Sequence, residues 1–245
     1  MSLKIENLTG GYGHFSVLQD ISFEVKSKEL VGLIGLNGAG KSTTIKEIMG
    51  LLTPQKGQIF IDGLSLKQDP EKYHKKIGFI PETPVLYEEL TLREHIEITA
   101  MAYDIDQNKA FYRAESLLKL FRLDKKLDWF PTNFSKGMKQ KVMVLCAFLV
   151  KPKLFIIDEP FLGLDPLAIH DLLEMMKQAK ENGAALLMST HILATAERYC
   201  DKFVILHEGK IRAIGNIEEL RIEFNMQRAT LDDIYLALTT EERYI

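Results

Sequence analysis

The chain of 245 residues is 46% hydrophobic and carries 31 basic against 34 acidic side chains, for a formal net charge of -3. Such a content buries a sizeable core, as one large domain or two intimate lobes, and excludes a disordered chain. The near balance of charge excludes whole-surface attraction for nucleic acid or an anionic membrane, so any basic site is local and no nucleic-acid partner is expected.

In chain order, Leu3, Ile5 and Leu8, then Ile21, Phe23 and Val25, alternate in the strand manner and predict two antiparallel strands separated by a turn at Gly10-Gly11-Tyr12-Gly13. Continuous apolar runs over 30–34, 154–157, 184–188 and 203–206 predict strands covered on both faces, as in a parallel sheet. Helix-competent stretches follow Lys41, Pro166 and His191, and the alternation predicts an α/β core with ligands at the carboxyl ends of its strands.

From about 91 to 150 the strand pattern is missing. Phe111, Leu117, Leu118 and Phe121 keep helical spacing, and Thr91 with Glu94 forms a capping-box pattern, so a helical insertion is expected over about 84–152. Residues 221–245 read as a tail, a polar connection followed by a short helix over about 231–238, after a main domain over 1–220. The longest strongly apolar stretch, 142–150, is far below the roughly 18 residues that cross a bilayer, and no charged leader with an apolar core opens the chain. Neither a membrane span nor an export signal is expected. Cys146 and Cys200 lack Cys-x-x-Cys spacing, which predicts buried reduced thiols, not a zinc site or disulfide.

The chemistry concentrates in a few phrases. Gly35-Leu36-Asn37-Gly38-Ala39-Gly40-Lys41-Ser42-Thr43 fits the Gly-x-x-x-x-Gly-Lys-Ser/Thr loop, in which glycines let several backbone N–H groups face one anion at a helix start. Phosphate is the natural guest: Lys41 reaches β- and γ-phosphates, Ser42 ligates Mg2+, and Thr43 with the backbone holds the remaining oxygens. In Leu154-Phe155-Ile156-Ile157-Asp158-Glu159-Pro160, an apolar strand delivers two carboxylates whose side chains diverge. Asp158 is the candidate Mg2+ ligand and Glu159 the candidate general base for an attacking water.

Together with Phe134-Ser135-Lys136-Gly137-Met138-Lys139-Gln140, these phrases stand in an order that resembles the nucleotide-binding subunit of an ABC transporter. The family's signature is usually Leu-Ser-Gly-Gly-Gln; three of its five positions differ here, while Ser135 and Gly137 remain. The resemblance implies a P-loop NTPase core with an antiparallel β subdomain and a helical insertion. It also implies a cofactor set of ATP and Mg2+. Ser135 and Gly137 then grip the γ-phosphate of ATP on the opposite subunit, Tyr12 stacks on adenine, and Asp165 in Gly163-Leu164-Asp165-Pro166 belongs to a loop crossing the dimer interface. His191 resembles the switch histidine that contacts γ-phosphate. Glu82 stands where the family usually has a Gln joining the Mg2+ site to the helical insertion, and it keeps a possible catalytic and metal-ligating role as a carboxylate.

By phrases such as Ile80-Pro81-Glu82-Thr83-Pro84 and Thr230-Leu231-Asp232-Asp233-Ile234-Tyr235-Leu236, the chain is similar to bacterial exporter-type ATPases. That likeness implies an ATP-bound homodimer driving a separate integral membrane permease from the cytoplasmic face. The alternatives are a soluble or regulatory ABC ATPase that moves no cargo itself, and a small-molecule P-loop kinase, which would need no signature phrase.

Overall fold

The computed structural model describes residues 2–240; residues 241–245 of the expected tail lie outside them. Alternating side chains build the first sheet from β1 (Leu3–Tyr12), β2 (Phe15–Val25), β4 (Lys56–Ile61) and β5 (Leu64–Ser65), in the order β2-β1-β4-β5 and antiparallel throughout. Leu3 pairs with Val25 and Ile61, and Ile5 with Phe23 and Ile59, so the apolar positions share one buried face.

The expected turn is displaced. Gly10, Gly11 and Tyr12 belong to β1, and the chain reverses at Gly13-His14. These glycines serve close approach: a Cβ on Gly10 would lie 1.8 Å from Glu47 Oε1, and one on Gly11 would lie 2.2 Å from the Phe15 carbonyl oxygen.

The second sheet contains β3 (Leu30–Ile34), β6 (Ile77–Ile80), β7 (Leu154–Asp158), β8 (Ala185–Thr190), β9 (Lys202–His207) and β10 (Lys210–Gly215), ordered β10-β9-β3-β8-β7-β6. All neighbours are parallel except β9 and β10. Every residue of β3, β7 and β8 is buried, as the continuous apolar runs require of strands covered on both faces.

The helices are α1 (Lys41–Ile48), α2 (Pro70–His74), α3 (Leu92–Ala102), α4 (Gln107–Leu120), α5 (Lys136–Leu149), α6 (Pro166–Glu181), α7 (Leu193–Tyr199), α8 (Ile217–Glu223) and α9 (Leu231–Thr240). Helix α3 starts at the anticipated capping box: Thr91 Oγ1 accepts from the Glu94 N–H, and Glu94 Oε2 accepts from the Thr91 N–H at 2.7 Å. The apolar faces of α3, α4 and α5 form one cluster that continues into Phe155 and Ile157 of β7 and Leu172 and Met176 of α6. The insertion and the sheet therefore share a core. A further cluster joins Ile34, Phe203 and Ile205 to Leu231, Ile234 and Tyr235, placing α9 against the parallel sheet, and the 220/221 division lies within α8.

Both cysteines are free, and burial pushes the Cys146 thiol up to about 11 and raises that of Cys200 as well, so neither supplies thiolate at neutral pH. Among the described residues, no helix is long and apolar enough to cross a membrane.

Candidate functional site

Three neighbouring strand ends assemble the site. Because β8 lies between β3 and β7, with Ile34 opposite Thr190 and Asp158 opposite Ser189, the segments leaving these strands emerge side by side. They carry the glycine loop, Glu159 and His191. This is the carboxyl edge of a parallel sheet, where α/β folds gather ligands.

Gly38 and Gly40 adopt φ of 85° and 110°, a left-handed geometry that glycine enters without penalty. Helix α1 begins immediately afterwards, and its N-cap, Gly40, offers no side-chain acceptor, so the first-turn N–H groups are available to an anion. Lys41 is buried, and its ammonium donates to the carbonyls of Gly35 at 2.7 Å and Leu36 at 3.3 Å. Burial lowers its proton affinity, opposed by the charges of Glu159, Asp158 and Glu82. Thr43 is buried beside it, while Ser42, Leu36 and Asn37 are exposed along with Gly38; Ala39 packs inward.

Asp158 and Glu159 are both buried, yet they turn to different partners. The Ser189 hydroxyl donates to Asp158 Oδ1. Burial raises the Asp158 pKa; the bond from Ser189 and the charges of Lys41 and Lys46 oppose that rise, and Glu82 adds to it. Glu159 has φ 44°, a strained conformation for a residue with a side chain. Its N–H donates to the Ser189 carbonyl at 3.2 Å, and its Oε1 lies 2.8 Å from His191 Nδ1. The exposed imidazole and the buried carboxylate thus form a pair at the strand edge.

Tyr12 ends β1 with its ring half exposed; Lys46 of α1 donates to its hydroxyl at 3.0 Å and stands 5.4 Å from the ring centroid. That bond lowers the tyrosine pKa. Glu82 follows the edge strand β6 and is exposed.

Ser135, Gly137 and Asp165 form a separate group. The Ser135 hydroxyl caps α5 by accepting from the Met138 N–H at 3.3 Å, and a Cβ on Gly137 would lie 2.5 Å from the Gly163 carbonyl oxygen. Asp165 caps α6, accepting from the Ala168 N–H at 2.9 Å, and pairs with Lys141 at 2.7 Å, which holds its carboxyl below the usual range. These contacts stay around the starts of α5 and α6 and do not reach the glycine loop.

Two further residues escaped the sequence reading. Ser189 serves both acidic residues from the neighbouring strand, and Gln140, fully buried on α5, donates Nε2 to the Pro81 carbonyl at 3.2 Å while its Oε1 has no hydrogen-bond partner. Their types are ordinary; only strand register and helix packing reveal them. The donor set fits a phosphate-bound cation: an exposed Ser42 hydroxyl and one buried aspartate suit an ion held chiefly by phosphate and water. No group of three or more His, Cys, Asp or Glu side chains able to hold a metal alone occurs among the described residues.

A family model described as ABC transporter matches residues 18–162, which include both the glycine loop and the acidic pair. The chain belongs to the ABC transporter family. It is 60% identical over 240 residues, covering 98% of this chain and 97% of the relative, to the ABC-type transporter ATP-binding protein EcsA of Bacillus subtilis (strain 168). It is 36% identical over 210 residues to the bacitracin transport ATP-binding protein BcrA of Bacillus licheniformis, covering 85% of this chain and 68% of that one. A solved ATP-binding subunit of an ABC transporter superposes with a TM-score of 0.95 at 56% identity, covering 98% of this chain and all of the other. The chain is accordingly the ATP-binding subunit of an ABC transporter, a P-loop ATPase whose hydrolysis serves transport.

Proposed function

We propose that two copies of this chain close head to tail over two ATP molecules, and that closure and reopening drive export through a separate membrane permease. The observation that supports this reading is that the glycine loop 35–43 and the start of α5 at Ser135 and Gly137, which the family resemblance reads as two phosphate-gripping groups, make their contacts separately within one chain. If the second group of one copy completes the first group of its partner, the γ-phosphate gains its full set of donors only in the closed pair, so ATP shifts the population toward closure.

In this reading Tyr12 stacks on adenine, Lys41 exchanges its loop carbonyls for phosphate oxygens, and Thr43 with the backbone of residues 38–41 holds the remaining oxygens. Mg2+, held by Ser42 and Asp158 with Glu82 beside them, would neutralise phosphate charge when bound. Glu159 accepts the proton of the attacking water, and His191, paired to its Oε1, orients that carboxylate and faces the γ-phosphate. Asp165 lies in the loop that crosses to the partner.

The permease contact is assigned to the surface between Glu82 and the start of α3, where Val85 and Tyr87 are exposed, 75% and 61%, beside the junction of insertion and sheet. This docking makes the subunit peripheral at the cytoplasmic face of a bacterial membrane. A relative named for Nod factor export in Rhizobium meliloti supports an outward direction.

Glu159→Gln tests the reading in one preparation. It should retain ATP, lose at least about two orders of magnitude in turnover and sediment as a dimer with ATP present. Parental turnover, or a monomer at saturating ATP, rejects the assignment.

A further inference from the structure

Helix α9 makes one contact with the nucleotide loop that none of the chemistry above uses. The Leu36 N–H, two residues beyond the end of β3, donates to the Tyr235 hydroxyl oxygen at 2.9 Å. Tyr235 is only 4% exposed, its ring packed with Ile34, Phe203 and Ile205 beneath the loop. The registers of β3 with β8 and β9 run only as far as Ile34, so the tyrosine supplies an acceptor just where strand pairing stops.

The start of α9, one turn before Tyr235, is anchored as well. Thr230 and Asp233 cap it reciprocally, with the Thr230 N–H donating to Asp233 Oδ2 at 2.8 Å and the Asp233 N–H donating to Thr230 Oγ1 at 3.2 Å. The Leu231 N–H donates to Glu197 Oε2 at 2.8 Å; Arg221 reaches Glu197 Oε1 at 3.4 Å and the Ala229 carbonyl at 2.8 Å. Glu197 belongs to α7, the helix that follows His191. The first turn of α9 thus links the helix behind the histidine to the first peptides of the loop.

We infer that Tyr235 is a positioning residue of the ATP site, its hydroxyl fixing the entry of the loop, and that α9 is a strut holding the loop in register with the segment that carries His191. The inference rests on the reading of residues 35–43 as the ATP site. Packing alone would be satisfied by phenylalanine; the hydroxyl serves the loop backbone.

Tyr235→Phe keeps the ring and removes the acceptor. Tyr103→Phe is the control, because its hydroxyl donates to the Ile77 carbonyl, away from the loop. Three quantities are compared in the full chain: hydrogen exchange of a peptide covering 34–40, MgATP affinity alongside the KM and kcat of hydrolysis, and thermal midpoint. Tyr235→Phe should speed exchange in that peptide while residues 154–158 keep theirs, and should weaken MgATP affinity by up to about tenfold, as expected when a part-buried backbone N–H loses its acceptor. Tyr103→Phe should lower the midpoint comparably and leave affinity unchanged.

Parental affinity in Tyr235→Phe, with or without faster exchange, overturns the inference, as does an equal loss of affinity in both variants. Should Tyr235→Phe not fold, Glu197→Ala releases the start of α9, one turn before Tyr235, and must loosen the same peptide. A parental protein that binds no MgATP would instead sink the ATP-site reading, while the exchange comparison would still decide whether the strut exists.

Discussion

Glu47 offers a test of the energetics beneath the nucleotide loop. It lies on α1, 2% exposed, and neither carboxylate oxygen has a hydrogen-bond partner. Burial raises its pKa from 4.5 to about 7. Between those values the folded state keeps a proton that the unfolded chain has released, so the stability this proton contributes is full below about pH 4.5 and lost as pH rises through about 7. At about 1.4 kcal/mol per pH unit the shift corresponds to about 3 kcal/mol. A neighbouring cavity of about 320 Å³, lined by Glu47, Gln58, Ser65 and Tyr73, gives the ionised form access to water and reduces the effect to about 1–2 kcal/mol. Glu47→Met replaces the carboxyl with an apolar group of similar volume. Its stability advantage over the parent should be larger at pH 8 than at pH 5 by that amount, about 2–8 °C in thermal midpoint for a chain of this size. Reversible melts of both proteins at both pH values measure it; an advantage independent of pH, or a Met variant less stable than the parent at pH 8, refutes the argument.

In the proposed site Lys41→Ala removes the ammonium that would meet the phosphates, and ATP binding should weaken at least about tenfold in a titration; unchanged affinity counts against the phosphate loop. Gly137→Ala puts a methyl group 2.5 Å from the Gly163 carbonyl oxygen, displacing the loop that leads to Asp165. It should lower ATPase turnover about fivefold or more while the monomer's ATP affinity holds, and parental turnover would refute a role for this packing. Because the charge of Glu82 raises the Asp158 pKa, Glu82→Gln should let Asp158 ionise at lower pH. The acid limb of the ATPase profile then moves to lower pH; an unmoved limb, or one displaced upward, contradicts this coupling.

The readable parts of the fold were those where one physical cause dominates. Strands β3, β7 and β8 are covered on both faces and so carry unbroken apolar runs, and Thr91 with Glu94 announces α3 because a reciprocal cap needs those types at that spacing. Strands β4, β6 and β10 went unread: Lys56-Gly57-Gln58 opens the first with no apolar side chain, and the second is only Ile77-Gly78-Phe79-Ile80 between a short helix and a loop. Gly10 and Gly11 misled because glycine marks close approach as well as turns, and only the position of Glu47 tells which applies. At the site, the glycine loop and the acidic pair were legible from residue types. Ser189 was not, since its role depends on the register of β8 against β7, nor was Tyr235, which meets Leu36 from 199 positions away.

The apolar body that runs without a break from α3 and α4 through α5 into β7 and α6 has a mechanical consequence. Close-packed interiors resist compression and transmit strain, so a push on the outer surface of the insertion is carried through packed side chains to the strand ending in Asp158. Lever and fulcrum share packed side chains here, and a displacement of one is passed to the other through them.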